Sequence, residues 1–171
     1  RVSMKTIRVA ILGQGRSGRD IHGAYLKQVP EQYKIVAVTD PIEQRRKRAE
    51  EEYGCESYVD YKEILKRDDI DLVVNATPSH LHVPITLDIL NAGFNVLCEK
   101  PLARKVEEVD MLIDAAEKSG KVFAIYQQSR FAPYFRQVRK VIDSGVLGRI
   151  VQISIAFNGF ARRWDWQCMQ K

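Results

Sequence analysis

The sequence predicts an α/β protein: a doubly wound parallel sheet, followed by the start of an α+β second domain with a largely antiparallel sheet. Three observations predict the first part. Short apolar runs alternate with stretches of helical periodicity, a glycine turn (Gly13-Gln14-Gly15-Arg16-Ser17-Gly18) follows the first run directly, and the acidic Asp40 stands at the end of the next run. Strand, glycine turn, helix, strand, acid is the order of a Rossmann dinucleotide-binding unit.

The apolar runs Ile7 to Leu12, Ile35 to Thr39, Leu72 to Asn75, Asn95 to Cys98 and Val122 to Tyr126 read as buried parallel strands, because they are apolar on both faces and too short for helices. Two crossovers between them are strongly patterned. His80 to Ala92 places Leu81, Ile85, Ile89 and Leu90 on one side, with Pro84 in the first turn and Gly93 at the stop. Lys105 to Ser119 places Val106, Val109, Leu112, Ile113 and Ala116 at helical spacing, and Gly120 occupies the C-cap position. After Tyr126 the rhythm changes to a helix over Pro133 to Ser144, a turn at Gly145 and Gly148, and an alternating run, Ile150 to Phe157. In that run Val151, Ile153, Ile155 and Phe157 alternate with Gln152, Ser154, Ala156 and Asn158, the pattern of a half-buried strand that needs neighbours. The expected division is residues 1-127 for the nucleotide-binding domain and 128-171 for the truncated start of a second domain. The chain reads as the N-terminal part of a longer protein, with Met4 as its natural start and Arg1 to Ser3 as upstream remainder.

Composition excludes several classes. The 171 residues are 45% hydrophobic and 29% charged, ordinary values for a soluble globular chain. No run approaches the roughly 18 apolar residues of a membrane span. The net charge of +5 is concentrated nowhere except Arg45-Arg46-Lys47-Arg48. Glu43, Glu50, Glu51 and Glu52 flank that run, which reads as a solvated helix face and implies no nucleic acid. Cys55, Cys98 and Cys168 form neither a disulfide framework nor a zinc site, and His80 with His82 lacks a carboxylate cluster, so no metal is expected and a reducing cytoplasm fits.

In the glycine turn, Gly13 permits the tight bend, Gly15 lets the backbone approach a pyrophosphate, Gly18 lets helix and strand pack closely, and the phosphates meet the positive end of the helix. Asp40 can accept from the adenosine ribose hydroxyls and would repel a ribose phosphate, which favours NAD over NADP. Arg45 and Arg46 leave NADP open, since arginine binds phosphate strongly. The plainer alternative is that the glycines only turn the chain and Asp40 caps the following helix.

Two further loops follow strands: Asn75-Ala76-Thr77-Pro78-Ser79-His80-Leu81-His82 and Cys98-Glu99-Lys100-Pro101. With the glycine turn and Arg130-Phe131-Ala132-Pro133, they make the chain resemble the glucose-fructose oxidoreductase, inositol dehydrogenase and MocA (Gfo/Idh/MocA) family over essentially its whole length. The Glu-Lys-Pro step is the most specific piece. The resemblance implies a two-domain oxidoreductase moving hydride between nicotinamide and a carbinol carbon of a sugar, inositol or related polyol. It implies that Ala76, Thr77 and Pro78 line the adenosine and pyrophosphate side and that His82 lies near the nicotinamide. Glu99 would approach the nicotinamide ribose, Lys100 would point at the substrate hydroxyl after a commonly cis Lys-Pro bond, and Gln128 would lie near nicotinamide and substrate. Independently, oxidising an alcohol requires a group to take the hydroxyl proton, and a lysine at a strand end is a candidate relay. The family's aspartate and histidine pair has no counterpart before Lys171, so catalysis by this stretch alone is not expected. Arg163 and Trp164, within Arg162-Arg163-Trp164-Asp165-Trp166, are candidates either for a polyol pocket or for packing at an interface. Family members pair through their second-domain sheets, which implies a homo-oligomer. Two alternatives share the fold: a non-catalytic dinucleotide sensor, and a glycosidase using bound NAD for transient oxidation.

Overall fold

The computed structural model describes residues 5-160. The described residues form two units, divided between Gln127 and Gln128.

The first unit is a six-stranded parallel sheet: β1 (Ile7–Leu12), β2 (Tyr33–Thr39), β3 (Glu56–Tyr58), β4 (Leu72–Asn75), β5 (Asn95–Glu99) and β6 (Phe123–Tyr126). Its strand order is β3-β2-β1-β4-β5-β6, the Rossmann order, with the reversal between β1 and β4. Helix α1 begins as a wide π-type turn over Arg16–Gly23 and finishes as α-helix over Ala24–Leu26. The other helices are α2 (Glu43–Tyr53), α3 (His82–Asn91) and α4 (Val106–Ser119).

Alternate residues of β1 feed two cores. Ala10 and Leu12 join Val73, Val96, Ile85, Ile89, Leu90 and Leu112 under α3 and α4. Val9 and Ile11 join Ile35, Val38, Val74, Leu26 and Ala49 under α1 and α2. This two-sided burial explains why the strands are apolar without alternation, and each fully buried Leu or Ile contributes roughly 1.5–3 kcal/mol. Helix α4 stops where predicted, at Gly120, whose φ of +65° is the left-handed conformation that glycine adopts without steric cost.

The observed strands match the predicted ones within two residues at each end, and α4 differs from its predicted span by one. Helix α3 begins at His82 rather than His80, because residues Ser79–Leu81 form a separate 3-10 turn. The strand that sequence reading missed is β3, a Glu-Ser-Tyr edge strand with no apolar run, paired through Ala37–Thr39 to β2.

In the second unit a 3-10 turn (Gln128–Phe131) leads into α5 (Pro133–Asp143), with proline in its first turn. The strand expected at Ile150 to Phe157 does not form: these residues carry no sheet pairing and are exposed. Among the described residues of this unit no second strand offers the hydrogen bonds that a lone strand needs. Tyr134 and Phe157 meet edge to face at 5.9 Å.

Candidate functional site

Ligands of open parallel sheets bind beyond the carboxyl ends of the strands, at the reversal of strand order. Here that reversal is flanked by the glycine turn after β1 and by the Ala76-Thr77 turn after β4. The two turns touch: Gly13 has φ of +90°, and a Cβ there would lie 2.6 Å from the Ala76 carbonyl oxygen, so only glycine fits. Gly13 N donates to Thr39 O at 2.8 Å, tying the turn to the end of β2. Gly18 is packed against the backbone carbonyl of Gly13.

Gly15 differs. Its backbone is extended (φ −77°, ψ −161°) and it precedes a helix start that no side chain caps and whose first turn carries no acid. The nearest atom to a Cβ at Gly15 would be Arg45 Nη1, at 3.7 Å. A bare backbone at an uncapped helix start is a cradle that a Cβ would fill, and it fits the pyrophosphate of a dinucleotide. Arg16 is exposed and Ser17 half-buried beside it.

Asp40 is buried, and both its oxygens are engaged. Oδ2 accepts from Gln14 N at 2.8 Å and Oδ1 from Ile42 N at 2.9 Å, with Arg45 Nη1 at 3.4 Å from Oδ2. Asp40 therefore shapes the glycine turn as well as standing at its rim; Oδ1, with one donor, keeps capacity for a second. Arg46 is held by the carbonyls of Asp40 and Pro41, and Arg48 donates to Gln14 O at 3.0 Å. The Gln14 carboxamide is 1% exposed and has no protein partner.

At the end of β5, Glu99 is buried while the following Lys100 is exposed, and the Lys100-Pro101 peptide is cis. Glu99 Oε1 lies 2.9 Å from His22 Nε2, and Oε2 accepts from Lys100 N at 3.2 Å. Burial pushes the Glu99 carboxyl up, but the His22 hydrogen bond and charge, with the Lys100 N–H, outweigh it and hold it below its ordinary value. His22 also meets the Tyr126 ring edge-on at 4.6 Å. Sequence reasoning missed His22. The signal was its place one helical turn after Gly18, on the face of α1 turned to the sheet.

His82 is not open to a ligand: it is 2% exposed, and both ring nitrogens are within hydrogen-bond distance of backbone carbonyls. Thr77 and Pro78 are half-buried on the preceding turn. Gln128 falls in the second unit, and Arg163 and Trp164 lie outside the described residues. Among the described residues no cluster of metal ligands occurs, and no helix is long and apolar enough to cross a membrane. Cys55 and Cys98 are free thiols, each pushed up to about 11 by burial.

Residues 7–127 match the oxidoreductase family with an NAD-binding Rossmann fold, Gfo/Idh/MocA. The scyllo-inositol 2-dehydrogenase (NADP(+)) IolW of Bacillus subtilis is 32% identical over 160 residues, covering 94% of this chain and 44% of that protein. A 2,7-anhydro-N-acetylneuraminate hydratase of Mediterraneibacter gnavus is 32% identical over 157 residues, covering 92% of this chain and 41% of that protein. In structure, the myo-inositol 2-dehydrogenase of Lactobacillus plantarum superposes with a TM-score of 0.78 at 30% identity, over 86% of this chain and 44% of its own. The WlbA dehydrogenase of Bordetella pertussis, solved with NADH and UDP-GlcNAcA, does so with a TM-score of 0.79 at 27% identity, over 85% of this chain and 44% of its own. The chain thus spans less than half the length of these relatives. With the sheet order, the glycine turn and the match over residues 7–127 in agreement, the chain belongs to the Gfo/Idh/MocA oxidoreductase family and carries its NAD-binding Rossmann fold.

Proposed function

We propose that the whole protein is an NAD-dependent oxidoreductase acting on a CH–OH group of a sugar, inositol or related polyol. The observation that carries the reading is one end of one sheet: a bare, uncapped glycine turn stands beside a step at which Glu99 is fixed and Lys100 is free. Within the turn from Gly13 to Gly18, Gly13 and Gln14 shape the bend through their bonds to Thr39 and Asp40, Gly15, Arg16, Ser17 and Gly18 surround the pyrophosphate at the helix start, and Asp40 takes the adenosine ribose. Ala76, Thr77 and Pro78 form the wall, and Glu99 meets the nicotinamide ribose. NAD, when bound, supplies the hydride acceptor. Lys100 Nζ would take the hydroxyl proton when the carbinol is oxidised and return it when the carbonyl is reduced, so that alcohol and carbonyl interconvert.

Asp40 supports NAD, and the Arg45 guanidinium beside it leaves a route for NADP. Residues from 128 onward begin a second domain that binds substrate, with Gln128 near nicotinamide and substrate and Arg163 and Trp164 as candidates for the polyol pocket, and the whole protein pairs into a homo-oligomer. The free thiols support a cytoplasmic, reducing compartment. The hydratase among the relatives supports a second reading, in which NAD is reduced and reoxidised within one turnover.

The test is Lys100→Ala in the full-length protein, assayed for NADH formation across a panel of polyols and sugars. Loss of a general acid–base group costs roughly 100-fold or more in turnover. NADH binding, followed by fluorescence, stays within about threefold of wild type, equivalent to less than 1 kcal/mol. Full turnover in the variant overturns the reading. Product formation without net NADH accumulation selects the second one.

A further inference from the structure

His82 opens α3, and its ring sits between the two loops that follow β4 and β5. Nδ1 lies 2.6 Å from the Pro101 carbonyl oxygen and Nε2 lies 2.9 Å from the Thr77 carbonyl oxygen. Carbonyl oxygens only accept, so each bond needs a proton on the ring nitrogen facing it. A neutral imidazole carries one such proton and the imidazolium carries two. The Pro101 carbonyl lies at the shorter distance, so Nδ1 is the nitrogen that donates, while Nε2 packs against the Thr77 carbonyl.

The two tethers are not equivalent. The Thr77 side is anchored independently: Asn75 Oδ1 accepts from Thr77 Oγ1 at 2.7 Å and from Thr77 N at 3.3 Å, while Asn75 Nδ2 donates to His82 O at 3.2 Å and Thr86 Oγ1 at 3.1 Å. On the other side, Pro101 has no backbone N–H, and its carbonyl is held by the His82 ring. Asn75 and Thr86 thus fix the ring to the end of β4, and the ring in turn fixes the residue after Lys100.

We propose that His82 is a positioning residue, a buried ring set between the Pro101 and Thr77 carbonyls that ties the Lys100-Pro101 loop to the Thr77 turn, without touching a ligand itself. The proposal rests on the reading of Glu99 and Lys100 given above. It assigns His82 a different task from lining the nicotinamide, since the ring is 2% exposed and both its nitrogens are taken. Removing the tether frees the Lys100-Pro101 side and leaves the glycine turn and Asp40 as they were.

The experiment compares wild type, His82→Leu and His82→Gln in the full-length protein. Dissociation constants are measured for NADH, which reaches the Glu99-Lys100 step, and for AMP, which occupies only the glycine-turn half. His82→Leu should weaken NADH about tenfold, the worth of one hydrogen bond, with AMP within about twofold. His82→Gln, whose amide nitrogen carries two N–H donors, should recover most of the loss. NADH and AMP weakened together, or neither weakened, overturns the proposal. A second measurement holds even where His82→Leu fails to fold. Histidine-15N NMR of the wild type should show a ring Nδ1–H signal that is slow in solvent exchange and missing from His82→Gln. The absence of any slowly exchanging ring N–H from His82 overturns the proposal. If wild type binds neither nucleotide, the cofactor reading has failed, and the ring N–H measurement still decides the role of His82.

Discussion

Gly15 and Gly18 belong to the same turn, and the structure assigns them different reasons for being glycine. At Gly18 an added Cβ would overlap the Gly13 carbonyl oxygen and lie 2.9 Å from the Gly13 carbonyl carbon and 3.3 Å from Ile11 Cγ2. Those neighbours are backbone and strand, so Gly18→Ala must push α1 off the sheet, at a cost of roughly 1–3 kcal/mol or more. At Gly15 the backbone angles, φ −77° and ψ −161°, suit any residue, and the nearest neighbour of a Cβ is a flexible arginine tip at 3.7 Å. The protein alone therefore does not need glycine there, and Gly15→Ala should stabilise by about 0.4–1 kcal/mol through the unfolded chain. If the bare backbone at Gly15 faces a pyrophosphate, the same methyl group occupies ligand space. Overpacking of that size costs about 1–3 kcal/mol in binding, a rise in Kd of about 5- to 150-fold. Thermal unfolding and NADH fluorescence titration of the two full-length variants separate the effects. Gly15→Ala keeps or raises the Tm and loses NADH, whereas Gly18→Ala lowers the Tm. NADH binding unchanged in Gly15→Ala refutes the cradle, and an equal drop in Tm for both variants refutes the distinction between them.

Two further outcomes follow from the buried groups. The Glu99 carboxyl is held below its unfolded value of 4.5, so its stabilisation is fully present above that pH and is lost as pH falls through the lower, folded value. Glu99→Gln should lower the Tm at neutral pH, with the gap to wild type closing below about pH 4.5; a gap that stays constant to about pH 3 argues against the pair. Cys98, fully buried with its thiol pushed up to about 11, should resist a thiol reagent at pH 8 in the native protein, where on the order of 0.1% is thiolate. Rapid modification of Cys98, mapped by mass spectrometry, contradicts that burial.

The fold was legible wherever one physical rule dominated. Strands buried on both faces must be apolar throughout, and this rule located β1, β4 and β5 almost to the residue. Edge strand β3 obeys no such rule: it is held by backbone bonds to Ala37–Thr39, which leave no trace in side-chain type. Ile150 to Phe157 shows the converse, a side-chain pattern suited to a strand with no partner for its backbone among the described residues. In the site, residues that present backbone could be read from glycines and from Asp40. Residues that act by holding others could not, because His22 with Glu99 and His82 with Pro101 are distant in sequence and meet only when the sheet is wound. Arg45 was read as a phosphate candidate; the structure adds that it already faces Asp40 over Gly15.

The distribution of buried polar groups argues for the site without any motif. The polar or charged side chains buried among the described residues are Gln14, His22, Thr39, Asp40, Asn75, His82, Thr86 and Glu99. Thr39, Asn75 and Glu99 end strands, and Gln14 and Asp40 follow strand ends. His82 and Thr86 sit in the first turns of α3, and His22 reaches Glu99 from α1. At the opposite end of the sheet the charged pair Arg8 and Asp71 remains partly exposed. Burying a polar group costs stability unless it is fully bonded, so a sheet selected for stability alone has no reason to concentrate them at one end. Most of these groups are spent on one another and on loop backbone; among the described residues the Gln14 carboxamide, inside the glycine turn, has no protein partner, and neither has Nε of Arg48, whose guanidinium donates to Gln14 O. A network of that kind fixes the course of three adjacent loops while leaving Gly15 and Lys100 uncovered by side-chain packing. The polar end of the sheet is therefore better described as scaffolding for a ligand than as part of the core, and His82 and His22 belong to the scaffolding.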